Sequence, residues 1–131
     1  MNKLTLILTL FFSTMFASPA YADWEKVIDG VNGTFYVDFD RILKNGGYVY
    51  FWRLTDYLKP TPQGVSSHER YFQGDCEFFR WKGLSWRYYK QPMGEGRPHI
   101  TDPTPDPEWF YPPPNTSGEE LLNQACRRSG L

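Results

Sequence analysis

Two cysteines, Cys76 and Cys126, stand 50 positions apart (126 − 76), and they limit the folding of this chain more than any other feature. Their meaning depends on the compartment, which the N-terminus indicates. Residues 1–22, MNKLTLILTLFFSTMFASPAYA, carry Lys3 as their one charge, an apolar run from Leu4 through Leu10 into Phe11 and Phe12, and small residues ending at Ala20-Tyr21-Ala22. That order predicts a secretory signal peptide cleaved before Asp23, and the apolar core is shorter than the roughly 20 residues of a spanning helix. No cysteine lies near the cleavage point to take a lipid. The expected product is exported and unlipidated, in the periplasm or at the cell surface. In an oxidising compartment two cysteines without competitors are expected to bond to each other. A metal pair or a reactive thiol is the alternative, but neither cysteine has another Cys or a His at ligand spacing. Closing so long a loop would contribute about 4 kcal/mol on the chain-entropy model, a main support for a domain with roughly 5–15 kcal/mol of total stability.

Residues 23–131 suit one compact domain. The formal charge of −1 becomes −2 once Lys3 leaves with a leader that holds no acid. A mildly acidic domain lacks the basic footprint of a general nucleic-acid binder.

From Trp24 the chain reads as an antiparallel meander. WEKVID and TFYVD flank Asn32-Gly33, a hairpin turn pair. FDRIL is long enough for one helical turn, and Asn45-Gly46-Gly47 reverses the chain. YVYFWRLTDYL at 48–58 is the strongest strand, with Tyr48, Tyr50, Trp52 and Leu54 on one face and Val49, Phe51, Arg53 and Thr55 on the other. VSSHERYFQGD is more polar and reads as an edge strand. FFRWKGLSWRYYK at 78–90 packs six aromatic and four basic residues into one strand. Its alternation keeps phase if Gly83 marks a bulge: Phe79, Trp81, Leu84, Trp86 and Tyr88 then face the core, and Arg80, Ser85, Arg87 and Tyr89 face away. Arg80, Arg87 and Tyr89 are the candidate binding surface, because Arg and Tyr on an exposed sheet face are residue types that anchor interfaces.

Residues 92–114 hold eight of the eleven prolines and read as a stiff extended connector, pinned by Trp109, Phe110 and Tyr111. NTSGEELLNQACRRSGL then predicts a helix. Thr116 and Glu119 make a capping box, Arg127, Arg128 and Gly130 suit its end, and Leu121, Leu122, Ala125 and Cys126 share a face.

No nucleophile elbow, zinc-protease, P-loop or dinucleotide motif is present. Gly94-Glu95-Gly96 reads as a turn, and Asp38 and Asp40 lack the later ligands of a calcium loop. His68 and His99 are expected to be solvated, and no nucleophile is placed beside either by motif. Asn32 and Asn115 sit in sequons but read as turn and cap residues. No catalytic or metal site is assigned.

Trp24, FYVD at 35–38 with Ile42, the Gly46-Gly47 turn, VYFWRLTDY with Trp52, Leu54, Asp56 and Tyr57, Ser66-Ser67, Asp75-Cys76, the aromatic strand ending at Tyr89, MGEG at 93–96 and EWFYPPPNTSGEELLNQAC follow one another in an order that resembles the surface-adhesin protein E-like domains of Gram-negative bacteria. The resemblance spans residues 24–126. It implies an α+β fold, a single antiparallel sheet of about six strands with a C-terminal helix on one face, tied by the Cys76–Cys126 disulfide. It also implies an envelope protein that binds host matrix and serum proteins, with haem as a ligand of the dimer. This chain departs from that pattern in lacking a lipidation cysteine and a lysine-rich segment, and in inserting TDPTPDP at 101–107. The expected function is an exported, non-catalytic binding domain for a protein or small ligand at the envelope. A periplasmic structural or inhibitor-type protein, acting through the insert, is the alternative.

Overall fold

The computed structural model describes residues 22–131. Apart from Ala22, the leader expected at 1–22 lies outside them. Strand β1 (Glu25–Asp29) and strand β2 (Gly33–Val37) form the first hairpin, closed by the Gly30 N–H donating to the Gly33 carbonyl at 2.7 Å. A single 3-10 turn follows at Phe39–Arg41. Its cap is Asp38, whose carboxylate accepts from the Asp40 N–H at 3.2 Å and pairs with Arg41 Nε at 2.6 Å. Asp38 is thereby committed to backbone capping. β3 (Leu43–Asn45) turns through Gly46 and Gly47, both at positive φ, into β4 (Tyr48–Tyr57). β5 (Ser67–Asp75), β6 (Arg80–Tyr89) and β7 (Ile100–Asp102) complete the sheet, and α1 (Ser117–Ser129) closes the chain.

All pairings are antiparallel, in the order β1-β2-β4-β5-β6-β7 with β3 beside β4, so the sheet has seven strands. The sequence does not predict β3, which follows the single turn of FDRIL, or β7, whose segment is proline-rich although Ile100–Asp102 itself holds no proline.

One face of the sheet carries the core. Val49 and Phe51 of β4, Phe72 of β5, Trp81 of β6 and Val37 of β2 meet Leu121, Leu122, Ala125 and Cys126 of α1. Phe51 stacks on Phe72 at 5.4 Å, and Phe72 meets Trp81 at 4.7 Å. Each such side chain contributes on the order of 1.5–3 kcal/mol by leaving water. The odd-numbered face of β4 is therefore the one beneath the helix. Thr116 caps α1 by accepting from the Glu119 N–H at 3.2 Å, and Gly130 ends it in the left-handed conformation. Cys76, just past β5, bonds Cys126 across a Cα separation of 5.8 Å and ties the helix to the sheet.

β5 is an interior strand, paired along its length with β4 and β6, where an edge was expected. Its polarity misleads because its polar side chains are buried with partners: Ser67, His68 and Glu69 are each at most 8% exposed. The bulge expected at Gly83 is present, as Tyr71 pairs with Ser85 and Phe72 with Gly83, leaving Leu84 extra. The reason is a close approach. A Cβ at Gly83 would stand 2.4 Å from the Arg70 guanidinium, which lies flat across β6.

Candidate functional site

Among the described residues no α-helix lies over the opposite face of the sheet. Register places Tyr50, Trp52 and Leu54 of β4, Glu69 and Tyr71 of β5, and Arg80, Arg87 and Tyr89 of β6 on that face. The expected orientation of Arg80, Arg87 and Tyr89 away from the core is what the strand adopts. They do not form one surface, however. Arg80 and Arg87 lie roughly 20 Å apart at about 3.3 Å per strand residue.

Tyr89 is buried, with 4% of its surface exposed. The turn at Pro92–Gly94 folds back over this end of the sheet, and three hydrogen bonds hold it there. Met93 N–H donates to Asp56 Oδ1 at 2.8 Å, Gly94 N–H to Ser67 Oγ at 2.8 Å, and the Ser67 hydroxyl to the Gln91 carbonyl at 2.6 Å. Leu54, Ser67, Glu69 and Tyr89 are sealed from solvent as a result. Glycine is required at 94: φ is +64°, and a Cβ would come 2.9 Å from Glu69 Oε1.

At the rim of this turn the guanidinium groups sit on tryptophan. Arg87 lies 4.5 Å from the Trp52 ring centroid, and Arg41 reaches both Trp24, at 5.6 Å, and Trp52, at 5.8 Å. Tyr71 packs on Trp52 at 4.7 Å and Tyr50 continues the strip at 6.3 Å. Glu69 lies beneath, 3.5 Å from Arg87. Burial pushes its carboxyl above the usual carboxylate range, against the opposing pull of Tyr89 and Arg87. Burial likewise raises the Tyr89 hydroxyl, and the Glu69 charge adds to it. Trp24, Arg41, Glu69, Arg87, Met93 and Gly94 enclose a depression of about 600 Å³. Guanidinium and indole groups do not exchange protons near neutral pH, so this set is equipped for recognition.

Arg80 belongs to a second cluster at the far end of the same face. Its Nε pairs with Asp75 at 2.9 Å and its guanidinium lies 4.3 Å over Trp109, which also stacks on Tyr48 at 5.9 Å. The proline-rich segment is thus pinned by Trp109, as the sequence implied.

One of the two histidines differs from expectation. His68 is buried: Tyr57 Oη lies 2.7 Å from its Nδ1 and Arg53 Nη2 3.0 Å from its Nε2. Burial, then the charges of Arg53 and Arg70, depress it to about 3. With both ring nitrogens engaged, His68 does not fit the role of an axial haem ligand. His99 is exposed. Sequence reasoning also missed Trp24, Arg41 and Trp52 as site residues. The alternation of β4 could have found Trp52, whereas the position of Arg41 depends on a 3-10 turn.

The chain is thus a helix-backed antiparallel sheet with a disulfide-tied helix and an aromatic and arginine strip on its other face. Residues 24–127 match the family model of the surface-adhesin protein E, and the chain belongs to that family. No curated protein sequence matches. Solved structures do. Crystal form II of Haemophilus influenzae protein E aligns with TM-score 0.66 and 16% identity over 86% of this chain and 93% of that one. A further structure of Haemophilus influenzae protein E gives 0.64 and 16% over 85% and 89%, and protein E from non-typeable Haemophilus influenzae gives 0.52 and 16% over 84% and 76%. At that identity the likeness is one of fold. The family is one of adhesins, which points to a surface or exported protein and away from catalysis. Among the described residues no helix is long and apolar enough to cross a membrane.

Proposed function

We propose that this chain is an exported, unlipidated, non-catalytic domain that binds a protein partner through the helix-free face of its sheet. The observation that carries this reading is the Trp24–Arg41–Trp52–Arg87 stack, continued by Tyr71 and Tyr50, on the part of this face that lies between the Pro92–Gly94 turn and Trp109. Tryptophan, tyrosine and arginine dominate the energy of protein interfaces. Here their conformations are restrained by stacking before any partner arrives, which lowers the entropy lost on binding. Of the surface expected from sequence, Arg87 remains at the centre, Arg80 anchors a separate cluster, and Tyr89 supports the face from beneath.

The insert at 101–107 supports an inhibitor reading poorly. β7 takes up its first residues, and Asp106 binds both the Gly83 N–H, at 3.0 Å, and Arg70. The insert is part of the sheet's framework.

The test is surface plasmon resonance of the purified chain against a panel of immobilised matrix and serum proteins, with Trp52→Ala and Arg87→Ala beside it. Loss of about tenfold or more in either variant supports the site, since a truncated anchor costs about 2 kcal/mol or more. Unchanged affinity in both removes it. Protease shaving of intact cells, beside a periplasmic control, decides between surface and periplasm.

A further inference from the structure

On the helix side, two adjoining cavities open between the N-terminal turn of α1 and the sheet. The first, about 310 Å³, is lined by Thr55, Tyr57 and His68, and the second, about 350 Å³, is walled by Trp81, Phe110, Pro113 and Leu121. Phe35, Arg53 and Ser117 line both.

Arg53 is the unusual member. It is nine-tenths buried, with its guanidinium between the rings of Phe35 and Phe72 at 5.5 and 5.0 Å. Among the described residues its Nε has no hydrogen-bond partner and no carboxylate pairs with it. A buried charge without a counter-charge is costly. Burial, with the charge of Arg70 adding to it, holds this guanidinium down to about 9. Two residues on, the buried hydroxyl of Thr55 also lacks a partner.

The surrounding groups are arranged as donors. Arg53 can only donate, so Nε2 of His68 accepts and its Nδ1 carries the ring proton. That proton goes to the Tyr57 oxygen, which leaves the Tyr57 O–H free to donate. Ser117 and Gly118 open α1, where N–H groups have no intrahelical acceptor. The acids of that turn, Glu119 and Glu120, line a neighbouring depression with Asp29, which meets the two cavities at Ser117.

We propose that the two cavities form one binding site for an organic carboxylate with a short apolar tail, the carboxylate held by Arg53, Thr55 and Tyr57 and the tail lying between Phe35, Trp81 and Phe110. The carboxylate can belong to a free acid or to the C-terminus of a peptide. This site lies on the other face from the one above and stands independently of it.

The experiment titrates 3-phenylpropionate, 3-phenylpropionamide, acetyl-Ala-Phe and acetyl-Ala-Phe-amide into the purified chain, followed by amide NMR shifts. Saturable shifts at Thr55, Ser117 and Gly118 with at least one acid are expected, and the acid that binds more tightly identifies the source. The matching amide should bind about tenfold or more weakly, because a charge-assisted hydrogen-bonded pair is lost. Arg53→Met should abolish binding while leaving the thermal midpoint unchanged or higher, since a lone buried charge gives way to an apolar side chain. Thr55→Val should weaken binding severalfold. Equal binding of acid and amide, retained binding in Arg53→Met, or no shift with either acid at about 10 mM overturns the site, that concentration being well above the Kd of even a weak specific ligand. If Arg53→Met does not fold, Thr55→Val and the acid–amide comparison decide.

Discussion

Arg53 Nη2 stands 3.0 Å from Nε2 of His68, and both side chains are buried in the interior of the sheet. Burial first, and then the charges of Arg53 and Arg70, keep the imidazole neutral. In the folded chain His68 takes up a proton only at about 3, against 6.5 for a free histidine. Between those values the unfolded chain holds one proton more than the folded chain, so stability falls as pH drops through the window. The slope from this group is about 1.4 kcal/mol per pH unit. His68→Gln, whose amide oxygen can still accept from Arg53, should flatten the dependence by about one proton. Urea unfolding at a series of pH values between 4 and 7 measures it, and an unchanged slope would mean that His68 titrates normally.

Gly94→Ala should loosen the turn over Tyr89. The substitution meets both a positive φ and the Glu69 carboxylate, and a cost of about 1–2 kcal/mol is expected. Hydrogen exchange at Met93 and Gly94 should quicken while the amides of β4 and β5 hold. Equal protection throughout would show that the turn adapts.

Asp106→Asn should destabilise the domain by about 1–3 kcal/mol, because it leaves the mostly buried Arg70 without its counter-charge. Arg70 lies 3.5 Å over the Trp86 ring, so tryptophan fluorescence should shift in the native state as well. Deleting 101–107 removes the same contact together with most of β7, and should lower the urea midpoint further. A deletion variant as stable as the parent would return the insert to the status of a free loop.

Replacing Cys76 and Cys126 together by serine should cost up to about 4 kcal/mol, since the bond closes a long loop. The loss should concentrate in α1, whose 13 residues are marginal as an isolated helix. Circular dichroism and urea midpoints in the double variant, compared with the oxidised parent, test this; a difference below about 1 kcal/mol would place the helix's stability in Leu121 and Leu122 alone.

What could be read from the sequence was local. The Asn32-Gly33 hairpin, the Thr116 cap, the glycine end of α1 and the Gly83 bulge each depend on residues within a few positions of one another, and each is where it was expected, although Glu119 reaches back to the Asn115 N–H and not to that of Thr116. The cysteine pair was readable because no other partner exists for either thiol. What escaped was nonlocal. The polar run Ser67-His68-Glu69 looks solvated until Gln91, Arg53 and Arg87 come to it from other strands and turns. Tyr89 follows the alternation of its strand faithfully and is buried by a turn that alternation cannot foresee. For the same reason Arg80 and Arg87 looked like one surface and are two.

The disulfide also changes what a cut means. Cys76 precedes the exposed proline-rich segment and Cys126 follows it, so a single protease nick anywhere from 92 to 114 leaves both fragments joined through sulfur. The nicked molecule would migrate near its full mass on a non-reducing gel and separate into two pieces only with thiol. Cleavage of this protein on a living cell must therefore be scored under reducing conditions, because without reductant a nicked protein would pass for an intact one.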